Sequence, residues 1–260
     1  MARKTTPPQP ASNYSEEKFQ QALLKRRYRQ PAPEFVTGNR GAPVRSMSED
    51  QLTANALQWF AEFEAKLAFY EKLGVELSWL LEWTKKYWWS WLERDMSVAD
   101  ELYTPDVRWK DVSSFGRTMV GIPEFVKYNY CFFDAIPDWR YDPLPGQVYL
   151  DVTPEGRVSF AVRYVGSGHW DGPLRLYPYD DSAPAIPGTG RFVQVSAVDR
   201  YHFDSSGRMC EGETLFDILD GLQSSMLLPR DDSRQFHALM RATAVGASTR
   251  KLLGRFGIGQ

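Results

Sequence analysis

The stretch CEGETLFDILDG, residues 210–221, has carboxylates at alternating positions of a strand-like segment. In extended chain Glu211, Glu213, Leu215 and Asp217 share one face, and Cys210, Gly212, Thr214 and Phe216 share the other. Neither face is plainly the solvent face. A carboxylate on a strand that borders a cavity can serve as general acid or base. The bland reading makes Asp217 a solvated turn residue, although the ILDGL that follows stays apolar. A second candidate lies in VSFAVRYVGSGHW, residues 158–170. There His169 shares a face with Ser159, Ala161, Arg163, Val165 and Ser167, most of them small. Small side chains leave room for a closely packed helix or for a cavity. The opposite face carries Val158, Phe160, Val162, Tyr164 and Trp170 and is bulky. A lone histidine is more often structural than catalytic.

Other chemistries have no signature. The three histidines, His169, His202 and His237, are far apart in sequence, and the two cysteines, Cys131 and Cys210, form neither a CxxC pattern nor a disulfide framework. GTGR precedes a strand, so it is no phosphate-binding loop, and no nucleophile elbow occurs. The reading therefore needs no metal or organic cofactor. The net charge of −2 favours neither nucleic acid nor a membrane surface. It conceals an asymmetry: residues 1–47 hold nine Lys/Arg against three Glu, and residues 230–260 hold six against two Asp. The basic ends read as solvated tails or as arms that dock on an acidic face. The opening MARKTTPPQPASNYS has charge but no apolar run, so it reads as no secretory leader, and a reducing cytoplasm is expected.

Elements that could position these residues follow from periodicity. Residues 1–13 read as disordered, 15–29 as a short helix and 30–46 as a linker, together a basic arm over 1–47. Ser48 with Gln51 forms a capping-box signature, and Ala56, Phe60, Phe63, Leu67 and Tyr70 make one helical stripe ending near Gly74. A second helix over about 75–94 carries Trp79, Trp83, Tyr87 and Trp91 at steps of four, with Trp88 and Trp89 off that line. Ser97 reads as the cap of a short helix reaching Tyr103. After Pro105 come a strand at 107–112, a helix from Pro123 to about Ala135, and strands at 147–152, 158–170, 191–204 and 209–217. Residues 171–190 read as a long loop and about 232–253 as a last helix. Helices segregated from an antiparallel sheet define an α+β class.

The segments ADELYTPDVRWKDVSSFGRTMVGIPEFVKY, AIPDWRYDP, GSGHWDG and PGTGRFVQVSAVDRYHFDSSGRMCEGETLFDILDGLQ occur in an order that resembles SnoaL-like polyketide cyclases of the NTF2-like superfamily. The resemblance covers roughly residues 80–228. It implies a cone in which a curved antiparallel sheet wraps around helices, with a pocket at the open end and pairing into homodimers through the outer sheet face. The domain is expected over 48–229, with the helix at 48–73 as an addition and 230–260 as a basic helical tail. The resemblance implies Asp217 as the general acid/base, His169 as its polar partner, and Asp111 and Asp138 as further site positions. The chain departs from the pattern in its longer loop with Asp180–Asp181, in Phe216 before the aspartate, and in the additional Glu213.

The chemistry that follows is proton abstraction from carbon next to a carbonyl. A free Asp titrates near ~3.9, and lifting it to about 6 costs about 3 kcal/mol. Aromatic surroundings supply the desolvation, and Glu213 or Asp138 would add repulsion. Trp88 and Trp89 are the expected pocket contacts, and Tyr87 or Tyr103 are alternative donors to an enolate beside His169. The leading expectation is a cofactor-independent cyclase or isomerase acting on a hydrophobic, carbonyl-bearing small molecule such as a polyketide or a steroid-like ring. A non-catalytic binding or assembly module comes second. Third is epoxide hydrolysis, in which Arg163 would bridge Asp217 and Asp111.

Overall fold

One basic residue of the expected N-terminal arm, Arg27, is among the most firmly held in the molecule. In this computed structural model, which describes residues 12–37, 43–114, 117–175 and 184–255, the arm is packed rather than loose. Ser15 caps helix α1 (Glu16–Leu24) by accepting from the Lys18 N–H, and Glu16 and Glu17 complement its positive end. Phe19, Ala22 and Leu23 are buried, whereas Leu24 points out. Arg27 then turns inward. Its guanidinium donates to the carbonyls of Ala22 and Leu92, near the C-termini of α1 and of helix α3 (Ser78–Glu93). Both helix ends carry partial negative charge, which a cation neutralises. Tyr28 continues the anchor with a 2.5 Å hydrogen bond between its hydroxyl and Ser167. The expected disordered residues 1–11 and the pair Asp180–Asp181 lie outside the described residues.

Strands β1 (Phe35–Thr37) and β2 (Pro43–Arg45) form a small hairpin before helix α2 (Glu49–Lys72). The capping box of Ser48 and Gln51 forms as the sequence implies. The buried face of α2 holds Leu52, Ala56, Trp59, Phe60, Phe63 and Leu67. Trp59 stacks on Trp88, and Phe63 stacks on Phe160. Gly74, at φ 84°, ends the helix in a left-handed conformation that a side chain would strain. A second tie holds α2 to the sheet. Arg140 grips Asp142 through two bonds of 2.9 and 2.8 Å and also reaches Glu49 and Thr53.

After α3, Asp95 rather than Ser97 caps the next turn, and α4 (Ala99–Leu102) leads into β3 (Tyr103–Asp111), β4 (Thr118–Val120) and α5 (Ile122–Ala135), which has Pro123 in its first turn. The long strands are β5 (Arg140–Val152), β6 (Val158–Trp170), β9 (Arg191–Phe203) and β10 (Met209–Phe216), with β7 (Leu174–Arg175) and β8 (Ala185–Ile186) as a short ribbon in the connection. The sheet order is β4-β3-β10-β9-β6-β5. Every pair in it is antiparallel except β3 with β10, which run parallel. Inward faces of these strands close on α3 and α5 in one aromatic core: Trp83 and Tyr87 against Tyr201, and Trp109 on Phe125. Helices α6 (Ile218–Ser224) and α7 (Arg234–Arg255) complete the chain.

If α1 is part of the core, truncating its buried ring must cost as much as a core deletion. Phe19→Ala is expected to lower unfolding stability by about 3–4 kcal/mol, read from the urea midpoint. A value within about 0.5 kcal/mol of wild type would return α1 to the role of a loose arm.

Candidate functional site

The inward face of β9 alternates Val193, Val195, Ala197, Asp199, Tyr201 and Phe203. One carboxylate therefore stands in an otherwise apolar row. Register places it beside Thr214 of β10, which in turn pairs with Asp111 of β3. Asp111, Thr214 and Asp199 thus form a row across three neighbouring strands. All three line a cavity of about 120 Å³ at one end of the sheet. Its walls are rings: Trp91, Phe132, Trp139, Tyr141, Tyr164 and Trp170. Phe216, Ile218 and Leu222 close it from the α6 side, and Leu174 and Ile186 close it from the β7–β8 ribbon.

Glycine makes room for part of this wall. A Cβ on Gly166 would lie 2.3 Å from the Trp139 ring, and one on Gly168 would lie 2.6 Å from Ile136. The GSG segment of β6 therefore lets Trp139 lie flat against the strand and face the cavity.

Asp199 is 3% exposed. Its Oδ2 accepts from the hydroxyls of Tyr141 at 2.8 Å and Tyr201 at 3.0 Å, and its Oδ1 accepts from Thr214 at 2.7 Å. A carboxylate has about four lone-pair sites, so these donors leave one on Oδ1. Among the described cavity-lining residues there is no Lys, Arg or His to neutralise it. Burial accordingly pushes its pKa up to about 7, against the pull of the three hydroxyl donors and with a further push from negative Asp111. The equally buried Asp142 also has its pKa raised by burial, but there the Arg140 guanidinium clamps it and pulls against the rise. Burial also drives the Tyr141 and Tyr201 hydroxyls well above their ordinary value, so both remain donors. Asp111 accepts a 2.5 Å hydrogen bond from Tyr128, another cavity residue.

The structure redistributes the expected site residues. Asp111 is in the cavity. Asp217 is not: it is exposed and serves as the N-cap of α6, its Oδ1 accepting from the N–H groups of Leu219 and Asp220. Strand parity is the reason, because Glu211, Glu213 and Leu215 face outward with it, and Thr214 is the inward residue. Glu213 is bound to Arg200 at 2.9 Å on that outer face. Arg163 is also outside, donating to Ser196 and Gln147, so it bridges no pair of cavity carboxylates. His169 and Asp138 do meet, with Nδ1 2.7 Å from Oδ2. They do so on the face of β6 that turns away from the cavity, under Tyr28 and Phe192. The room left by the small residues at that end is filled by the N-terminal segment.

The aromatic assignments also shift. Trp88 is fully buried and stacks on Tyr141 at 4.6 Å, backing the ring whose hydroxyl holds Asp199. Trp89 packs edge-on against Tyr14, and Tyr103 against Phe125. Tyr87 lies 5.3 Å from Tyr201. None of these four lines the cavity, whereas Trp91, a member of the regular stripe, does. Asp199 escaped sequence reading because the VDR run looks like a solvated strand edge. The signal that finds it is the alternation itself, which puts a single carboxylate among five apolar or aromatic neighbours on one face.

A family model describing a SnoaL-like domain matches residues 85–212. The match takes in Asp111, Asp138, His169 and Asp199, and leaves α1, α2, α6 and α7 outside. No curated protein matches the chain. Among solved structures, a provisionally named SnoaL-like polyketide cyclase from Jannaschia sp. CCS1 is 20% identical, over 58% of this chain and 94% of that one, with a TM-score of 0.44. TsrD from Streptomyces laurentii is 15% identical over 59% and 98%, with a TM-score of 0.47. An NTF2-like protein of unknown function from Burkholderia pseudomallei is 18% identical over 57% and 98%, with a TM-score of 0.42.

The raised pKa of Asp199 has a sign that stability measurements can read. Between about pH 4 and 7 the unfolded chain releases this proton and the folded chain keeps it, so Asp199 lowers stability as pH rises through that window. The difference between wild type and Asp199→Asn is expected to change by about 3 kcal/mol from pH 4 to pH 7, with the variant gaining relative to wild type. A difference that stays flat across the window contradicts the burial argument.

Proposed function

We propose, for a chain whose residues 85–212 form a SnoaL-like domain of NTF2-like fold, that it is a cyclase- or isomerase-type enzyme in which Asp199 is the general acid/base. The observation that carries this reading is a buried carboxylate without a cation, facing an apolar cavity, with a pKa of about 7. Such a group is basic enough to take a proton from carbon beside a carbonyl and acidic enough to return it at another position. The ring-lined cavity suits a hydrophobic, carbonyl-bearing small molecule, and its walls exclude the water that would make the carboxylate an ordinary acid. We assign Tyr128, held beside Asp111 across Thr214 from Asp199, to the negative oxygen that develops on the substrate, toward which its hydroxyl would turn from Asp111, while the negative Asp111 raises the basicity of Asp199. Tyr141, Tyr201 and Thr214 hold the base in place and limit how far its pKa rises. Asp217 has no part in the chemistry on this reading. Pairing of two copies through the outer face of β6, β9 and β10 belongs to the same proposal.

The probe is exchange of the α-protons of 2-tetralone in deuterated water, followed by NMR. Wild type is expected to catalyse exchange with kcat/KM rising through pH ~7, and Asp199→Asn to lose about 10²–10⁴-fold and the pH limb with it. Asp217→Asn is expected to stay within about threefold of wild type, in keeping with an exposed cap. Equal rates in wild type and Asp199→Asn would sink the assignment.

Tyr141→Phe tests the support rather than the base. Removing a donor to the charged form must raise the Asp199 pKa, so the rising limb is expected to move to higher pH. A limb that stays in place or moves to lower pH contradicts this role for the hydroxyl.

A further inference from the structure

The two strands that wall the cavity carry a second recess on their other face. Trp170 of β6 and Val193 of β9 look into the cavity. Their neighbours His169 and Phe192, paired in register, look the other way and floor a cleft of about 360 Å³. The N-terminal segment supplies one wall with Phe35 and Val36, and Met226, just beyond α6, supplies another. Arg191 stands at the rim.

His169 is 4% exposed, and its surroundings fix its tautomer. Asp138 is held as an acceptor by the N–H of His169 at 2.6 Å and the N–H of Arg29 at 3.2 Å. Its Oδ2 lies 2.7 Å from Nδ1, and a carboxylate accepts only, so Nδ1 carries the hydrogen. Nε2 is the ring's remaining polar atom. Among the described residues it has no hydrogen-bond partner, and the Arg191 guanidinium has neither an ion pair nor a hydrogen bond. A polarised imidazole backed by a carboxylate thus sits at the floor of a cleft of mixed polar and apolar lining, with Gln30 and Ser224 among its polar residues and an unpaired cation at the edge.

We propose that this cleft is a second ligand site, separate from the Asp199 cavity, for a small amphiphilic carboxylate. One oxygen of the ligand's carboxyl group would share the ligand's own proton with Nε2 of His169, and the other would accept from the Arg191 guanidinium. Its apolar tail would lie against Phe35, Val36, Phe192 and Met226. No bond is made or broken, and the site does not depend on the role given to Asp199.

The test titrates octanoate into the full chain and follows the imidazole ¹⁵N and ¹H resonances of His169, with His202 and His237 as internal references. Octanoate is expected to shift the Nε2 resonance saturably, 1-octanol to leave it in place, and Arg191→Ala to weaken octanoate by about tenfold or more. Arg191 is exposed, so this variant folds without touching the core. Asp199→Asn is expected to leave the His169 response unchanged. The proposal is overturned if octanoate leaves His169 unmoved, if octanol shifts it equally, if Arg191→Ala binds as tightly as wild type, or if Asp199→Asn abolishes the response.

Discussion

A carboxylate buried without a cation is the constraint on which the site depends. Asp199 is held by three hydroxyls, from Tyr141, Tyr201 and Thr214, and among the described residues by no opposite charge. Hydroxyls stabilise the anion, but not enough to offset the loss of water, so the proton is retained to near neutrality. An arginine in the same place would have clamped the carboxylate and pulled against the rise, as Arg140 does at Asp142. Omission of the cation costs stability and leaves an acid–base group matched to neutral pH.

The rest of the fold keeps that environment in place. Trp88 fixes Tyr141 by stacking, Trp59 of α2 stacks on the other side of Trp88, and Phe60 of the same helix takes the edge of Phe19 from α1. The N-terminal elements that lie outside the family match therefore reach the carboxylate through a chain of ring contacts. Arg27 and Arg140 anchor the same elements by occupying helix ends and a buried acidic pair. At the other end of the cavity, α6 begins at Asp217, whose role as a cap sets where Ile218 and Leu222 meet the opening.

Much of the fold was legible because its signals are local. The capping box at Ser48, the proline at the start of α5 and the alternating strands each depend on a few neighbouring residues. The basic arm was misread because its composition is that of a tail, and the partners that bury Arg27 and Tyr28 lie 65 and 139 residues away. The site was half legible. Asp111 lines the cavity, whereas His169, expected as the partner of Asp217, meets Asp138 instead and on the outer face. The resemblance points to Asp217 in the last strand and not to Asp199, although strand parity sets Thr214 inward and Asp217 outward. Which of two acidic strand residues faces the helices is decided by the register of β9 against β10, and no single segment reports that.

The most direct measurement is the titration of Asp199 itself. With ¹³C-labelled aspartate, and the resonance identified by its loss in Asp199→Asn, the carboxyl carbon is expected to titrate with a midpoint of about 7. A midpoint near the ordinary aspartate value of ~3.9 would contradict the account, since it would mean that water or an unrecognised cation reaches the carboxylate.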